Sequence, residues 1–150
     1  MLAMMEVSTC DAGARPVNAA DLIIRGHALM NRPVSYANRE EALQCFELAL
    51  VREPNSLDAK LGAAGALISN LSDGRSRFEA RDKAHAEKYI LDALQRRSDI
   101  PDPHTFMGVL RRLQGRLDDS RIELEMAINI APNHALASAN LRRRLPICAS

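Results

Sequence analysis

Apolar residues recur along the chain every three or four positions, which is the period of a helix. In three segments a small residue is followed four positions later by a large apolar residue and three positions after that by a second small residue. These trios are Ala42, Phe46 and Ala49; Ala86, Ile90 and Ala93; and Ser120, Leu124 and Ala127. The spacing puts each trio on one helix face, where small residues let a neighbouring helix approach and the large residue fills the gap. The trios therefore predict three packed helices.

A second helical stretch precedes each trio. These stretches cover residues 20–31, 57–70 and 103–114, and each has a glycine in its middle: Gly26, Gly62 and Gly108. A glycine inside a helix costs up to about 1 kcal/mol relative to alanine, so it is expected where two helices cross too closely for a Cβ. Five residues beyond each trio stand Pro54, Ser98 and Pro132, and proline prevents a helix from continuing. The glycines, the trios and the residues beyond them together predict a pair of helices that is repeated three times.

This pattern resembles the tetratricopeptide repeat, a helix–turn–helix unit of about 34 residues. The resemblance covers residues 18–145 and is closest over 101–134, where Gly108, Gly115, Ser120, Leu124, Ala127 and Pro132 match the family pattern. It implies an all-α fold of antiparallel helix–turn–helix repeats, forming a short right-handed α-solenoid of about three units with a C-terminal capping helix. Arg25 and Arg111 depart from the pattern, because the family has apolar residues there.

The remaining segments give predictions about boundaries. Asn38 is predicted to cap the second helix, and the polar stretch 70–79 is predicted to be a loop, either a tolerated insertion or a contact segment. Asn133 is predicted to cap a last helix from His134 to about Arg144, with Ala135, Ala139 and Leu136 facing inward. Residues 1–17 are expected to form a flexible leader, 18–145 the repeat domain, and 146–150 a frayed tail.

Composition supports a helical protein with balanced charge. Hydrophobic residues make up 47%, aromatic residues only 3%, and tryptophan is absent. The net charge of +1 gives no overall field that would attract nucleic acid or an anionic membrane. No apolar run reaches the roughly 20 residues of a membrane-spanning helix. We therefore expect neither nucleic acid nor membrane as a partner.

The cysteines and histidines offer no recognisable chemistry. Cys10, Cys45 and Cys148 form no CxxC pair, which argues against a zinc site or a disulfide framework and favours a reducing, cytoplasmic location. Cys45 is expected to be a buried, inert thiol. No two histidines have metal-binding spacing, and His104 is expected to be exposed in a turn. Without a nucleophile motif or a phosphate loop, we predict no enzyme activity, no cofactor and no metal.

The family resemblance implies that a partner binds along the concave face formed by the first helix of each unit. The residues expected there are Ile23, His27, Met30, Ala59, Ala63, Ala66, Leu67, Thr105, Val109 and Arg112. One subclass of the family grips a carboxylate with Lys, Asn and Arg. This chain has Ile23, His27 and Ala63 instead, so that grip is not expected. We expect Ala63, Leu67 and Val109 to form an exposed apolar patch.

The leading functional hypothesis is a protein–protein interaction module that holds a peptide or helix of a partner in an apolar groove. The opening sequence of residues 20–29 looks like repeat regions fused to cyclases or winged-helix regulators, which suggests a bacterial-type regulatory or signalling assembly. The alternative is a self-associating structural repeat, a homo-oligomer whose groove is filled by another copy. The mass of the protein in solution distinguishes the two hypotheses.

Overall fold

Residues 17–143 are described by the computed structural model, and seven helices lie within them. They are α1 (Ala19–Met30), α2 (Tyr36–Arg52), α3 (Leu57–Ser72), α4 (Glu79–Arg96), α5 (Pro101–Leu113), α6 (Leu117–Ile130) and α7 (Ala135–Arg142). No strand occurs in that range, and the predicted all-α fold is confirmed. The predicted frayed tail and the leader except Val17 lie outside the described residues, as do Cys10 and Cys148. The last helix ends at Arg142, before its predicted end at about Arg144.

The chain divides into two compact units, Met1–Ser76 and Arg77–Ser150. Unit 1 contains α1, α2 and α3, and unit 2 contains the other four helices. In unit 1, α2 packs against both α1 and α3. In unit 2, α5 packs against α4 and α6, and α7 rests on α5 and α6. A single domain over residues 18–145 stays a prediction.

The three trios occupy the inward faces of α2, α4 and α6, as predicted. Every member is buried, from fully buried Phe46 to Ser120, which is 3% exposed. The three helices also end alike, because the first backbone N–H beyond each helix donates to the carbonyl of the trio's last residue. The bonds run from Glu53 to Ala49, from Arg97 to Ala93 and from Ala131 to Ala127, at 2.8, 2.7 and 2.9 Å.

The mid-helix glycines make room for the large residue of a trio. A Cβ added at Gly26 would lie 2.6 Å from the Phe46 ring, and one added at Gly62 would meet the same ring. In unit 2, a Cβ at Gly108 would lie 2.6 Å from Leu124. These three contacts confirm the predicted register of the repeats, because real Cβ atoms do not approach carbon atoms so closely.

Arg39, which sequence analysis overlooked, joins all three helices of unit 1. Its buried guanidinium extends from α2, where Nη1 donates to the Met30 carbonyl at 3.0 Å and Nε donates to Ser69 Oγ at 2.9 Å. Met30 is the last residue of α1, and carbonyls at a helix C-terminus carry partial negative charge that favours a cation. Arg39 thus ties the end of α1 and the body of α3 to α2.

The predicted cap of α2 is wrong by three residues. Ser35 caps the helix, because its Oγ accepts a hydrogen bond from the Asn38 N–H at 3.1 Å. The Asn38 side chain instead donates to the Pro33 carbonyl at 2.8 Å. Serine and asparagine are similarly good caps, so composition alone does not decide between two candidates in one stretch.

The predicted loop at 70–79 is shorter than expected. Helix α3 continues to Ser72, and the connection covers residues 73–78. Asn70 and Leu71 are buried, so they belong to the packed part of α3. Gly74 supplies the positive φ of 70° that turns the chain after the helix. The polar character of the stretch hid the fact that its first residues still pack.

The last helix begins one residue later than predicted. His134 caps α7, because its Nδ1 accepts a hydrogen bond from the Ala137 N–H at 3.2 Å. Ala137 and Asn140 face inward, whereas Ala135 and Leu136 are exposed and Ala139 is only half-buried. The predicted inward residues were wrong because the inward face depends on how α7 packs on α5 and α6, which the position of the cap does not determine.

Candidate functional site

The α1 members of the predicted groove lie at or near the surface of unit 1. Ile23 and Met30 are half-buried, and His27 is exposed. The His27 ring stands edge-on to the Phe46 ring, with centroids 5.1 Å apart and planes at 67°. Aromatic pairs favour this arrangement. Phe46 therefore acts as a fixed support that orients an exposed imidazole between two apolar side chains.

The α3 members of the predicted groove are buried, contrary to the expectation of an exposed patch. Ala59, Ala63 and Ala66 are fully buried, and Leu67 is 2% exposed. The expected bare patch at Ala63 and Leu67 is therefore wrong. Helix α3 is apolar on nearly every side, and helices of that type lie inside a protein. This composition was visible in the sequence and is the signal that should have placed α3 in the core.

The α5 members of the predicted groove are buried in unit 2. Thr105 is fully buried, with its Oγ1 donating to the Pro101 carbonyl at 3.0 Å. Val109 is buried too, so its expected exposure is wrong. Arg112 is a buried cation, and burial, with a smaller contribution from the nearby positive charge of Arg143, lowers the pKa of its guanidinium. This burial could not be predicted from the residue type, because arginine usually lies at the surface.

His104 is buried and not exposed as predicted. Its Nδ1 lies 2.9 Å from Glu123 Oε1 and its Nε2 lies 3.0 Å from the Ser98 carbonyl oxygen. The ring therefore joins α5 to α6 and to the turn before α5. Asp102, the expected neighbour of His104, instead lies 2.9 Å from His134 Nε2. These contacts join neighbouring parts of unit 2, and this structural role accounts for the positions of both histidines.

Cys45 differs from its prediction. It is fully buried on α2, and its sulfur forms a disulfide. The expectation of an inert thiol is therefore wrong for Cys45. The prediction considered only the CxxC pattern and the odd number of cysteines, whereas the bond depends on the distance between two sulfurs in space.

Within residues 17–143, no group of three or more His, Cys, Asp or Glu side chains could hold a metal ion. None of the helices in that range is long and apolar enough to cross a membrane. The α1 surface of unit 1, defined as Ile23, His27 and Met30, remains as the candidate contact site. It offers apolar area and one imidazole, which suits binding by packing.

Comparison with known proteins identifies the fold. The structure resembles one titled the first TPR of Spaghetti (RPAP3) bound to the HSP90 peptide SRMEEVD, with a TM-score of 0.64, 19% sequence identity, and coverage of 89% of this chain and 94% of that chain. It also resembles the NMR structure of the first TPR domain of human RPAP3, with a TM-score of 0.63, 18% identity, and coverage of 84% and 88%. No family model and no curated protein matches the sequence. The chain has the fold of a tetratricopeptide-repeat domain.

Proposed function

We propose that the chain is a protein-binding module that holds a peptide or helix of a partner protein, with the α1 surface as the contact in unit 1. The observation that carries this proposal is the exposed His27, supported edge-on by buried Phe46 and flanked by Ile23 and Met30. A fixed side chain loses little conformational freedom on binding, so its contacts contribute more fully to affinity.

The other predicted groove residues act through shape in this proposal. Ala59, Ala63, Ala66 and Leu67 are buried in α3 and hold unit 1 in one arrangement. Thr105, Val109 and Arg112 serve unit 2 in the same way. A partner would therefore contact α1 directly. It would not touch the packed residues, whose role would be to hold the helices in position.

The chemistry of the α1 surface favours an apolar segment as the ligand. The resembling structure holds SRMEEVD, a peptide with three acidic side chains. Here Ile23 and His27 replace the Lys and Asn of the carboxylate-gripping subclass, and Ala63 replaces a further polar group. A partial apolar surface with one imidazole suits the apolar face of an amphipathic helix. We therefore propose that this module binds apolar segments in preference to acidic peptides such as SRMEEVD.

The wider context is also part of the proposal. A role in a bacterial-type regulatory assembly rests on the resemblance of residues 20–29, and binding without catalysis rests on the fold. A cytoplasmic location stays a prediction.

Peptide selection tests the proposal. Peptides selected from a displayed library on the wild-type protein would be titrated against His27→Glu and against the matched control Ala28→Glu. Both residues are exposed and adjacent on α1, but they lie on different sides of the helix. We expect His27→Glu to weaken binding about tenfold, because a carboxylate would be desolvated against apolar atoms, and Ala28→Glu to leave it unchanged. Equal binding by all three proteins would rule out the α1 surface.

Two further measurements separate the alternatives. The SRMEEVD peptide should bind far more weakly than the selected peptides, and tight binding would overturn the preference for apolar segments. Sedimentation equilibrium at micromolar concentration should show a monomer. A dimer that His27→Glu disrupts would instead favour the self-associating alternative.

A further inference from the structure

Helix α6 carries an apolar ridge on the side that faces away from the core of unit 2. Its inward face is the buried trio of Ser120, Leu124 and Ala127. The ridge consists of Ile122, Met126 and Ile130, which are 51%, 43% and 38% exposed. A surface helix normally places polar residues on its outward side. Apolar residues at i, i+4 and i+8 there form a continuous strip about 12 Å long, or two helical turns.

Carboxylates border the ridge on both sides. Asp118 precedes Ile122 by four residues and lies in line with the ridge at its N-terminal end, whereas Glu125 falls along one edge and Asp119 and Glu123 fall along the other. The segment 117–130 contains these four acidic residues and one basic residue, Arg121, which gives it a net charge of −3. Helix α4 of the same unit has four acidic and four basic residues and is neutral. The combination of a ridge and an acidic border thus distinguishes α6 from α4.

Some of these carboxylates have partners, and one remains available. Arg116 Nη2 lies 2.7 Å from Asp119 Oδ2, Arg121 Nη2 lies 3.9 Å from Asp118 Oδ1, and His104 pairs with Glu123. Glu125 is exposed and forms no ion pair or hydrogen bond within residues 17–143. The border therefore keeps negative charge at the surface beside apolar side chains.

We propose that the α6 ridge docks a positively charged amphipathic helix of a partner protein. Apolar side chains of that helix, spaced three and four residues apart, pack against Ile122, Met126 and Ile130. Its lysines and arginines lie opposite the carboxylates along both edges of the ridge. Burial of the ridge supplies affinity, and the charges select the partner and orient it.

Charge argues against the other occupants of the ridge. A second copy of this chain would bring two segments of net charge −3 face to face, and like charges at an interface are unfavourable. Nucleic acid and anionic lipid surfaces would be repelled for the same reason. This docking site lies on α6 of unit 2, so it goes beyond the α1 surface of unit 1 and does not depend on it.

A pair of synthetic helical peptides tests the inference. One peptide has leucines at i, i+3 and i+4 spacing with lysines elsewhere, and the other has glutamates in place of the lysines. Isothermal titration of the full chain should show tighter binding of the Leu–Lys peptide than of the Leu–Glu peptide, and added salt should weaken the binding of the Leu–Lys peptide. Binding of both peptides alike would overturn the charge selection.

Substitutions at the ridge separate docking from general charge attraction. Met126→Glu adds negative charge, so general attraction for the Leu–Lys peptide would increase. We expect instead that its affinity falls about tenfold, because the apolar contact at the centre of the ridge is lost. The matched control is Leu91→Glu on neutral α4, where Leu91 is 44% exposed. The control has the same charge change, and its affinity should equal that of the wild-type protein.

A third substitution, the melting of all variants and the oligomeric state of the free protein complete the test. Glu125→Lys should also weaken binding, and because it leaves the apolar contacts intact it provides a second test. Circular dichroism melting should be unchanged for all variants, since the altered side chains are exposed. Undiminished binding by Met126→Glu would overturn the docking site. A dimer of the free protein that Met126→Glu abolishes would identify a second copy as the occupant and overturn the basic helix.

Discussion

The two units fill the space beside their mid-helix glycines with different side chains. In unit 1 the Phe46 ring lies against both Gly26 and Gly62. In unit 2 the smaller Leu124 lies against Gly108 alone, and Ser120 Oγ donates to the Gly108 carbonyl at 2.7 Å. The glycine defines the close contact in each unit, whereas bulk can come from an aromatic ring or from an aliphatic chain assisted by a hydrogen bond.

The polar contacts of the units differ as well. Arg39 joins three helices of unit 1 through a carbonyl and a hydroxyl. In unit 2, His104 joins α5 to Glu123 of α6 and to the Ser98 carbonyl. We conclude that unit 1 depends more on one large side chain, and unit 2 on several smaller contacts. The following predictions test that difference, beginning with the largest effect.

Removing the large residue of a trio should give the largest difference in lost stability between the two units. We expect Phe46→Ala to lower the free energy of unfolding by about 4 kcal/mol and Leu124→Ala by about 3 kcal/mol, since the larger side chain leaves the larger cavity. Urea denaturation followed by circular dichroism measures both. A greater loss for Leu124→Ala would contradict the view that unit 1 depends on a single side chain.

Adding a methyl group beside the large residue is the second test. Gly62→Ala should cost about 2 kcal/mol through overpacking against the Phe46 ring, which is held on both sides. Gly108→Ala should cost less, because the flexible Leu124 side chain can turn away. Thermal melting of the two variants gives the ranking, and equal costs would show that the ring shifts as easily as the leucine.

Removing the polar contacts should have smaller effects. Arg39→Met keeps most of the side-chain length but leaves the Met30 carbonyl and Ser69 hydroxyl without this donor, and we expect a loss of about 2 kcal/mol. Ser120→Ala removes one hydrogen bond and should cost about 1 kcal/mol. Denaturation midpoints of both variants test the order. A larger loss for Ser120→Ala would mean that its bond to α5 matters more than the Arg39 contacts.

The smallest effect concerns an exposed pair in unit 2. Arg97 donates to both carboxylate oxygens of Asp99, at 2.8 and 3.1 Å, and this hydrogen bonding lowers the pKa of Asp99. A lowered pKa in the folded state adds stability above the unfolded-state pKa, and that stability is lost as pH falls through the folded-state pKa. Carbon-13 NMR titration should show the Asp99 pKa rising in Arg97→Gln. An unchanged pKa would contradict the pairing, and melting near neutral pH should hardly change.

Sequence reasoning predicted the helices and their packing but not their burial on every side. The glycines and trios such as Gly108 with Leu124 are local signals, because helical spacing alone brings them to one face. The burial of Ala63 and Leu67 depends on what covers a second side of α3, which the spacing of one helix does not reveal. Of the predicted α1 members, Ile23 and Met30 are half-buried and His27 is exposed, and their part in binding stays a prediction.

Polar residues were harder to predict than apolar ones. Arg39 and His104 lie in the core because each has partners from distant parts of the chain, and no local pattern marks such partners. The caps Ser35 and His134 were missed for a different reason, since neighbouring residues have similar capping ability and the choice depends on where the chain enters the helix. The disulfide at Cys45 was missed for the same reason as the core positions of Arg39 and His104, because it depends on proximity in space.

The Phe46 ring also restricts how this sequence can change. Because one ring touches both Gly26 and Gly62, the volumes at the three positions are linked, and a side chain can be added at either glycine only if position 46 becomes smaller. Substitutions there should be strongly non-additive, with Gly26→Ala tolerated in a Phe46→Leu background better than in the wild-type protein. In homologous chains, residues 26, 46 and 62 are thus expected to vary together or not at all.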